Sequence, residues 1–177
     1  MPPKRKLNRP ADSLAARAPR LPLERIVSGG QTGVDRAALD FAIAHAIPHG
    51  GWCPRGRLAE DGPIAPAYQL RETPETQYDQ RTGWNVRDSD ATAILTISPE
   101  LTGGSALTQI LAREFDKPCL HLSKIRDADA APAILRAFVR RHRIRTLNVA
   151  GPRLSTEPAA SQFAIQVLER ALIPSTS

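Results

Sequence analysis

The sequence has few of the features that would place it in several common protein classes. Its 177 residues include two cysteines, Cys53 and Cys119, which are too few for a disulfide framework. No apolar run approaches the roughly 18 residues of a membrane-spanning helix. The amino terminus lacks the apolar core of a secretory signal. These absences predict a cytoplasmic protein without membrane contact.

An excess of positive charge is missing from most of the chain, although the net charge is +6. Residues 1–25 hold seven basic and two acidic residues, which leaves 17 basic and 16 acidic residues for the remainder. A near-neutral remainder argues against nucleic acid as the main partner.

The first 22 residues differ in composition from the rest because they combine five prolines with most of the net positive charge. This composition predicts a disordered basic tail over residues 1–22, followed by a single domain over residues 23–174. An organelle transit peptide is a second interpretation of the same Arg-rich, acid-poor segment.

From Leu23 onward, short apolar runs alternate with helical periods, as in a parallel sheet with crossover helices. The pattern predicts an α/β protein with a Rossmann-like doubly wound parallel sheet of about five strands and helices on both faces. Helix starts are predicted at a Thr32–Asp35 capping box, at Thr73-Pro74 and at Asp129. The strands are predicted at residues 24–27, 47–53, 91–97, 119–122 and 146–150.

The helix after Gly104 is expected to place an apolar stripe inward, formed by Leu107, Ile110, Leu111 and Phe115. Residues 54–72 have no clear period and carry several prolines and glycines. A loop of this length in a compact domain is usually functional or mobile.

Two glycine turns lie where predicted strands end, and ligands of such sheets bind beyond the carboxyl ends of the strands. Neither turn is a Walker or GxGxxG motif, so the sequence does not predict NTP or NAD binding. Glycine lets the backbone approach a ligand, and free amides at a helix start favour an anion. We therefore predict a shared phosphate or oxyanion site, with a tight strand-to-helix turn as the alternative for the first loop. Its residues are Gly29, Gly30, Thr32 and Gly33 in the first turn and Gly103, Gly104 and Ser105 in the second.

Asp35 does not fit a simple phosphate site, because a carboxylate beside a helix start repels a phosphate. It could serve as a cap, as a hydrogen-bond acceptor for the ligand or as an ion ligand, and Arg36 could offset its charge. Asn148, inside an apolar strand, either lines the site or bonds to a neighbouring loop. No catalytic arrangement is recognised, and the histidines and cysteines lack metal-ligand spacing.

Several stretches of the chain resemble the molybdenum cofactor carrier proteins, in order and without large gaps from about Arg25 to Leu172. These stretches are residues 28–40 (SGGQTGVDRAALD), 48–54 (PHGGWCP), 59–63 (AEDGP), 84–90 (WNVRDSD), 101–104 (LTGG) and 147–152 (LNVAGP). The resemblance implies a Rossmann-like homo-oligomer that binds and protects the molybdenum cofactor, a phosphorylated pterin, with molybdoenzymes as candidate partners. The glycine turns would hold the terminal phosphate or a molybdenum oxyanion. The pterin or metal end would be surrounded by Asp35, Arg36, Arg81 and Asn85.

A wider similarity links the chain to the Lonely Guy phosphoribohydrolases, also called lysine decarboxylase-like proteins. Counting back from residues 89–91 places Arg81 at the position of their arginine, as a candidate phosphate contact or an exposed helix residue. Counting forward from Gly103-Gly104 places Gln109 where those enzymes carry a glutamate, and the loop lacks their second Gly-Thr. A neutral amide cannot replace a catalytic carboxylate, which favours a non-enzymatic carrier.

Two alternatives stay open. The first is a nucleotide-directed hydrolase that uses Arg81 and Asp35. The second is weak nucleic-acid binding through the tail and the arginine-rich residues 136–145, which otherwise form a solvated helix face.

Overall fold

A five-stranded parallel sheet forms the centre of residues 21–174, the part of the chain that the computed structural model describes. The predicted tail, residues 1–22, lies outside the described residues except for its last two positions. In chain order the strands are β1 (Arg25–Val27), β2 (His49–Gly50), β3 (Trp52–Cys53), β4 (Leu58–Ala59), β5 (Gly62–Pro63), β6 (Arg71–Glu72), β7 (Ala91–Thr96), β8 (Cys119–Ser123) and β9 (Thr146–Ala150). The helices are α1 (Val34–Ala44), α2 (Tyr78–Arg87), α3 (Gly103–Glu114), α4 (Lys124–Asp127), α5 (Ala131–Arg141) and α6 (Ala160–Leu172).

The main sheet has the strand order β2-β1-β9-β7-β8, and each neighbouring pair is parallel. Helices α1, α5 and α6 pack together on one face, and α2 packs against α3 on the other. This arrangement confirms the predicted α/β, Rossmann-like doubly wound fold. The last strand, β9, lies between β1 and β7. The strands that follow β1 and β7 in the sheet therefore lie on opposite sides of β9, and the strand order reverses there. Ligands of open α/β sheets bind beside such a switch.

The longest strand and the last helix were predicted well because their apolar patterns are unambiguous. All six residues of β7 are buried, as expected for an interior strand that is covered on both faces. In α6 the predicted inward positions are all buried. Those positions are Ala160, Phe163, Ala164, Val167, Leu168 and Ala171.

Two predicted helix caps are wrong. Helix α1 has Gly33 as its N-cap and no side-chain cap, because the Thr32 hydroxyl donates to Glu60 instead. Asp129 lies in a 3₁₀ turn rather than at a cap, and α5 starts after Ala130 without a side-chain cap.

The predicted start of α2 and the second strand also differ from the structure. Helix α2 begins at Tyr78, because the Thr73 hydroxyl donates to the carbonyl oxygens of Cys53 (3.2 Å) and Glu75 (3.0 Å) instead of capping a helix. The segment predicted as one strand over residues 47–53 is split at Gly51. Its first half, β2, joins the main sheet, and its second half, β3, pairs with β6.

The inward face predicted for α3 is wrong in part. Ile110 is 50% exposed and Phe115 is 39% exposed. The residues that α3 buries are the small Ser105, Thr108 and Ala112, which allow the helix to lie close to the sheet.

The long loop over residues 54–72 is ordered by one arginine. It contains the short strands β4, β5 and β6, and it covers a second apolar cluster formed by Leu39, Cys53, Ile64 and Leu70. The Arg57 guanidinium donates to four backbone carbonyl oxygens of the same loop, at distances of 2.9–3.1 Å. These acceptors belong to Ile64, Ala65, Tyr68 and Leu70.

Candidate functional site

A cavity of about 430 Å³ opens at the carboxyl ends of β1, β9 and β7. This volume is typical of a small-molecule site. The loop after β1 contributes Gly29 and Gln31, β7 contributes Thr96, and the end of β9 and the loop after it contribute residues 150–153 and 155–157. The cavity therefore lies at the switch in strand order, where the sequence predicted the ligand.

Seven of the eleven predicted binding residues line this cavity. They come from four separate segments, which the fold brings together. The seven are Gly29, Asp35, Arg81, Asn85, Gly103, Gly104 and Ser105.

The other four predicted residues lie beside the cavity and support its walls. Gly30 faces the side chains of Leu70 and Ile64, and Gly33 packs under the backbone of residues 152–154. The Thr32 hydroxyl bonds to Glu60, and Arg36 pairs with Asp61 at 2.5 Å.

The amino terminus of α3 presents free backbone amides to the cavity. Gly103, Gly104 and Ser105 form its first turn, and the N-cap residue Thr102 makes no side-chain cap. Gly103 has φ +51°, a conformation that favours glycine. Uncapped amides and the positive end of the helix dipole make this turn suitable for an anion.

The cation that neutralises Asp35 is Arg81, rather than the expected Arg36. Arg81 Nη1 lies 2.7 Å from Asp35 Oδ2, and the two side chains are 14% and 5% exposed. Gly29 makes room for this pair, because a Cβ at that position would lie 1.4 Å from Arg81 Nη1. The pair closes the β1 side of the cavity.

Comparison with known proteins supports the resemblance seen in the sequence. Residues 26–172 match the circularly permutated YpsA SLOG family. The chain belongs to this family. A crystal structure at 1.45 Å resolution of a "Putative molybdenum carrier protein" from Syntrophus aciditrophicus is 45% identical, with a TM-score of 0.85. The match covers 88% of this chain and 98% of that one. No curated protein matches the sequence.

In this member of the SLOG family, the side chain of Gln31 lines the cavity, although no sequence pattern predicted it. Its Oε1 accepts hydrogen bonds from the backbone amides of Thr32 (3.0 Å) and Glu60 (2.8 Å). Its Nε2 is buried and has no partner among the described residues. The glutamine lies inside the motif SGGQTG, and only the folded loop shows that its amide is fixed.

Glu60 ties three loops together at the edge of the cavity, and it was also missed. Its carboxylate accepts from the hydroxyl groups of Thr32 and Ser155 and from the Ser155 backbone amide (3.2 Å). These hydrogen bonds hold the pKa of Glu60 below its ordinary value. Glu60 is distant from both partners in sequence, so local spacing could not reveal this contact.

The two asparagines of interest are both buried and both line the cavity. Asn85 bonds to both backbone groups of Trp52, with its Oδ1 2.8 Å from the nitrogen and its Nδ2 2.9 Å from the oxygen. Asn148 Nδ2 donates to Thr92 Oγ1 at 3.1 Å. Each side chain therefore positions a wall of the cavity as well as facing it.

The remaining candidates lie away from the cavity. Gln109 is not among its lining residues. Cys53 is fully buried, and burial raises the pKa of its thiol, as expected for a small core residue. The described residues contain no group of three or more His, Cys, Asp or Glu side chains that could hold a metal ion. No helix within residues 21–174 is long and apolar enough to cross a membrane.

The arginine-rich residues 136–145 include side chains that bind the protein itself. Arg136 joins α5 to α6 by donating to the carbonyl oxygens of Ala171 (2.8 Å) and Arg170 (2.6 Å). Arg145 pairs with Glu24 at 2.8 Å. These contacts favour a structural role for at least part of the segment.

Proposed function

We propose that this protein is a carrier that binds the molybdenum cofactor, a phosphorylated pterin, in the cavity between β1, β9 and β7. The observation that carries the proposal is the uncapped amino terminus of α3, which opens into the cavity. The backbone amides of Gly103, Gly104 and Ser105 would receive the phosphate. The 45% identity to a protein named a putative molybdenum carrier supports a ligand that contains molybdenum.

The α3 turn and the β1 side of the cavity differ in their side chains, and this difference favours one orientation of the ligand. The first turn of α3 holds no acidic side chain, although Glu100 and Glu157 line the cavity elsewhere. The β1 side holds the buried Asp35 carboxylate, which is paired with Arg81. A phosphate therefore favours the α3 side, and the pterin and metal end lies toward Asp35, Arg81 and Asn85.

We also propose that residues 23–174 form a single domain, that the protein is a homo-oligomer, and that molybdoenzymes receive the cofactor.

Incubation with cofactor released from a denatured molybdoenzyme tests the proposal. After gel filtration, molybdenum is measured by mass spectrometry and the pterin by fluorescence. We expect both to elute with the protein, and we expect phosphatase treatment of the cofactor to abolish the association. Protein fractions that contain neither molybdenum nor pterin would contradict the proposal.

The related hydrolase activity is less well supported, because a neutral amide replaces the glutamate of the phosphoribohydrolases at its position in the sequence. Gln109 stands at that position in the sequence and does not line the cavity. We expect no release of adenine from AMP, as measured by chromatography. Release that is lost in Arg81→Ala would show that the protein is a hydrolase instead.

A further inference from the structure

Two buried side-chain donors that line the cavity have no partner within residues 21–174, the Gln31 amide and Arg81 Nε, and only the Gln31 side chain lacks a partner for all of its donors. Gln31 is 5% exposed, and both hydrogen bonds to its Oε1 come from backbone N–H groups. This fixes the orientation of the amide, since Nε2 cannot accept from an N–H donor. Its two N–H groups are therefore buried without a protein partner. Such a group costs free energy unless something else satisfies it.

The position of Gln31 relative to α3 indicates which part of a ligand it would meet. Gln31 follows β1, and α3 follows β7, with β9 between these two strands. Neighbouring strands are about 4.8 Å apart, so the two loops start roughly 10 Å from each other. A ligand whose phosphate lies on the α3 turn would place its opposite end near Gln31.

Asp35 defines the chemistry of that end. Its Oδ2 accepts from Arg81 Nη1 (2.7 Å) and from the Gln31 backbone amide (3.4 Å). Within the described residues both hydrogen bonds to this carboxylate go to Oδ2, which leaves Oδ1 to accept from a ligand. A neutral acceptor is favoured opposite Gln31, because Arg81 already has Asp35 as its counter-ion and a second anion there would lack a cation of its own.

We propose that Gln31 and Asp35 bind the edge of a planar nitrogen heterocycle. The Gln31 amide donates to a carbonyl oxygen or ring nitrogen, and Asp35 Oδ1 accepts from the adjacent N–H or amino group. Pterins and purine bases both present such an edge. The inference rests on the proposed function for the position of the phosphate, and it adds the residues that recognise the ring.

The test compares ligands that share a phosphate and differ in the ring. The probes are ribose 5-phosphate, neopterin monophosphate and AMP, each titrated by calorimetry. Gln31→Glu keeps an oxygen for the amides of Thr32 and Glu60 and replaces the donor with a second acceptor. Gln162→Glu, on the exposed side of α6 and away from the cavity, is the charge-matched control. For each variant we compare the affinity for a ring-bearing probe with the affinity for ribose 5-phosphate. Because every probe carries the same phosphate, an added charge changes both affinities alike and cancels in their ratio.

We expect the wild-type protein to bind a ring-bearing probe at least ten-fold more tightly than ribose 5-phosphate. The probe with the higher affinity, pterin or purine, identifies the ring. Gln31→Glu should lower this ratio to near one, and Gln162→Glu should leave it unchanged. A wild-type ratio near one, or an unchanged ratio in Gln31→Glu, would overturn the inference while leaving phosphate binding intact. Failure of all three probes to bind would instead contradict the proposed function.

Discussion

The two glycine turns look alike in the sequence, but the structure gives them different roles. After β1, the turn is surrounded by side chains: Gly29 borders the Asp35–Arg81 pair, and Gln31 is bound through its oxygen to Glu60. Before α3, the turn is open, and a Cβ added at Gly103 or Gly104 would meet no atom within 4 Å. The first turn uses glycine to make room for protein side chains, and the second leaves backbone amides available to a ligand.

The largest expected effect is a difference in stability between two variants that carry the same substitution, glycine to alanine, one in each turn. Gly29→Ala should displace Arg81 and leave Asp35 buried without its cation, at a cost of about 3 kcal/mol. Gly104→Ala should change the free energy of unfolding by less than about 1 kcal/mol, because its Cβ enters open space in a helical turn. Urea denaturation measures both. Equal losses of stability in the two variants would show that the turns do not differ as described.

The loop over residues 54–72 supports the β1 turn, and a substitution at Arg57 should weaken this loop. Arg57→Lys replaces a planar group that reaches four carbonyl oxygens with a single ammonium. We expect the free energy of unfolding to fall by about 2 kcal/mol, since hydrogen bonds from charged donors contribute more to stability than those between neutral groups. Arg55→Lys in the same loop, where the side chain is exposed, should be nearly neutral. Protease cleavage within residues 58–70 should be faster in Arg57→Lys than in the wild type and unchanged in Arg55→Lys. If Arg57→Lys were cleaved as slowly as the wild type, Arg57 would not order the loop.

The smallest expected effect concerns the pH dependence of the Glu60 contacts. Hydrogen bonds from Ser155 and Thr32 lower the pKa of Glu60 from its ordinary value of 4.5. A carboxyl group with a lowered pKa stabilises the folded protein above that ordinary value, and the contribution is lost as the pH falls through the lowered pKa.

Thermal unfolding of the wild type and Glu60→Gln between pH 7 and pH 3 measures this contribution. The difference in melting temperature should be present at neutral pH and should shrink as the acid range is reached. Glu114→Gln, an exposed carboxylate on α3, is the control and should show little difference at any pH. A difference for Glu60→Gln that stays constant with pH would contradict the role of its charge.

The fold was predictable where one pattern dominates a segment. The six buried residues of β7 and the regular apolar positions of α6 depend on local periodicity, which the sequence displays directly. The cap of α1 and the start of α2 were mispredicted because Thr32 and Thr73 bond to distant residues, Glu60 and Cys53. Such tertiary contacts override local preference.

The sequence predicted the positions of the glycine turns at the candidate site, but it did not predict which charged side chains pair there. Strand ends followed by Gly-Gly turns indicate the edge of the sheet where a ligand binds. The pairing of Asp35 with Arg81, 46 positions away, required the folded positions of α1 and α2, so the neighbouring Arg36 was the wrong choice. The unused amide of Gln31 depends on a hydrogen bond from the backbone of Glu60, which no local motif predicts.

The central claim is that the free amides of α3 bind the phosphate of the ligand, and one pair of variants at Gly104 tests it most directly. Gly104→Asp places a carboxylate in the first turn, where it favours the helix but competes with an anion. Gly104→Asn has nearly the same shape without the charge. Titration with neopterin monophosphate should show affinity reduced about ten-fold or more in Gly104→Asp and nearly retained in Gly104→Asn. Equal affinity in the two variants would show that the phosphate does not bind at α3.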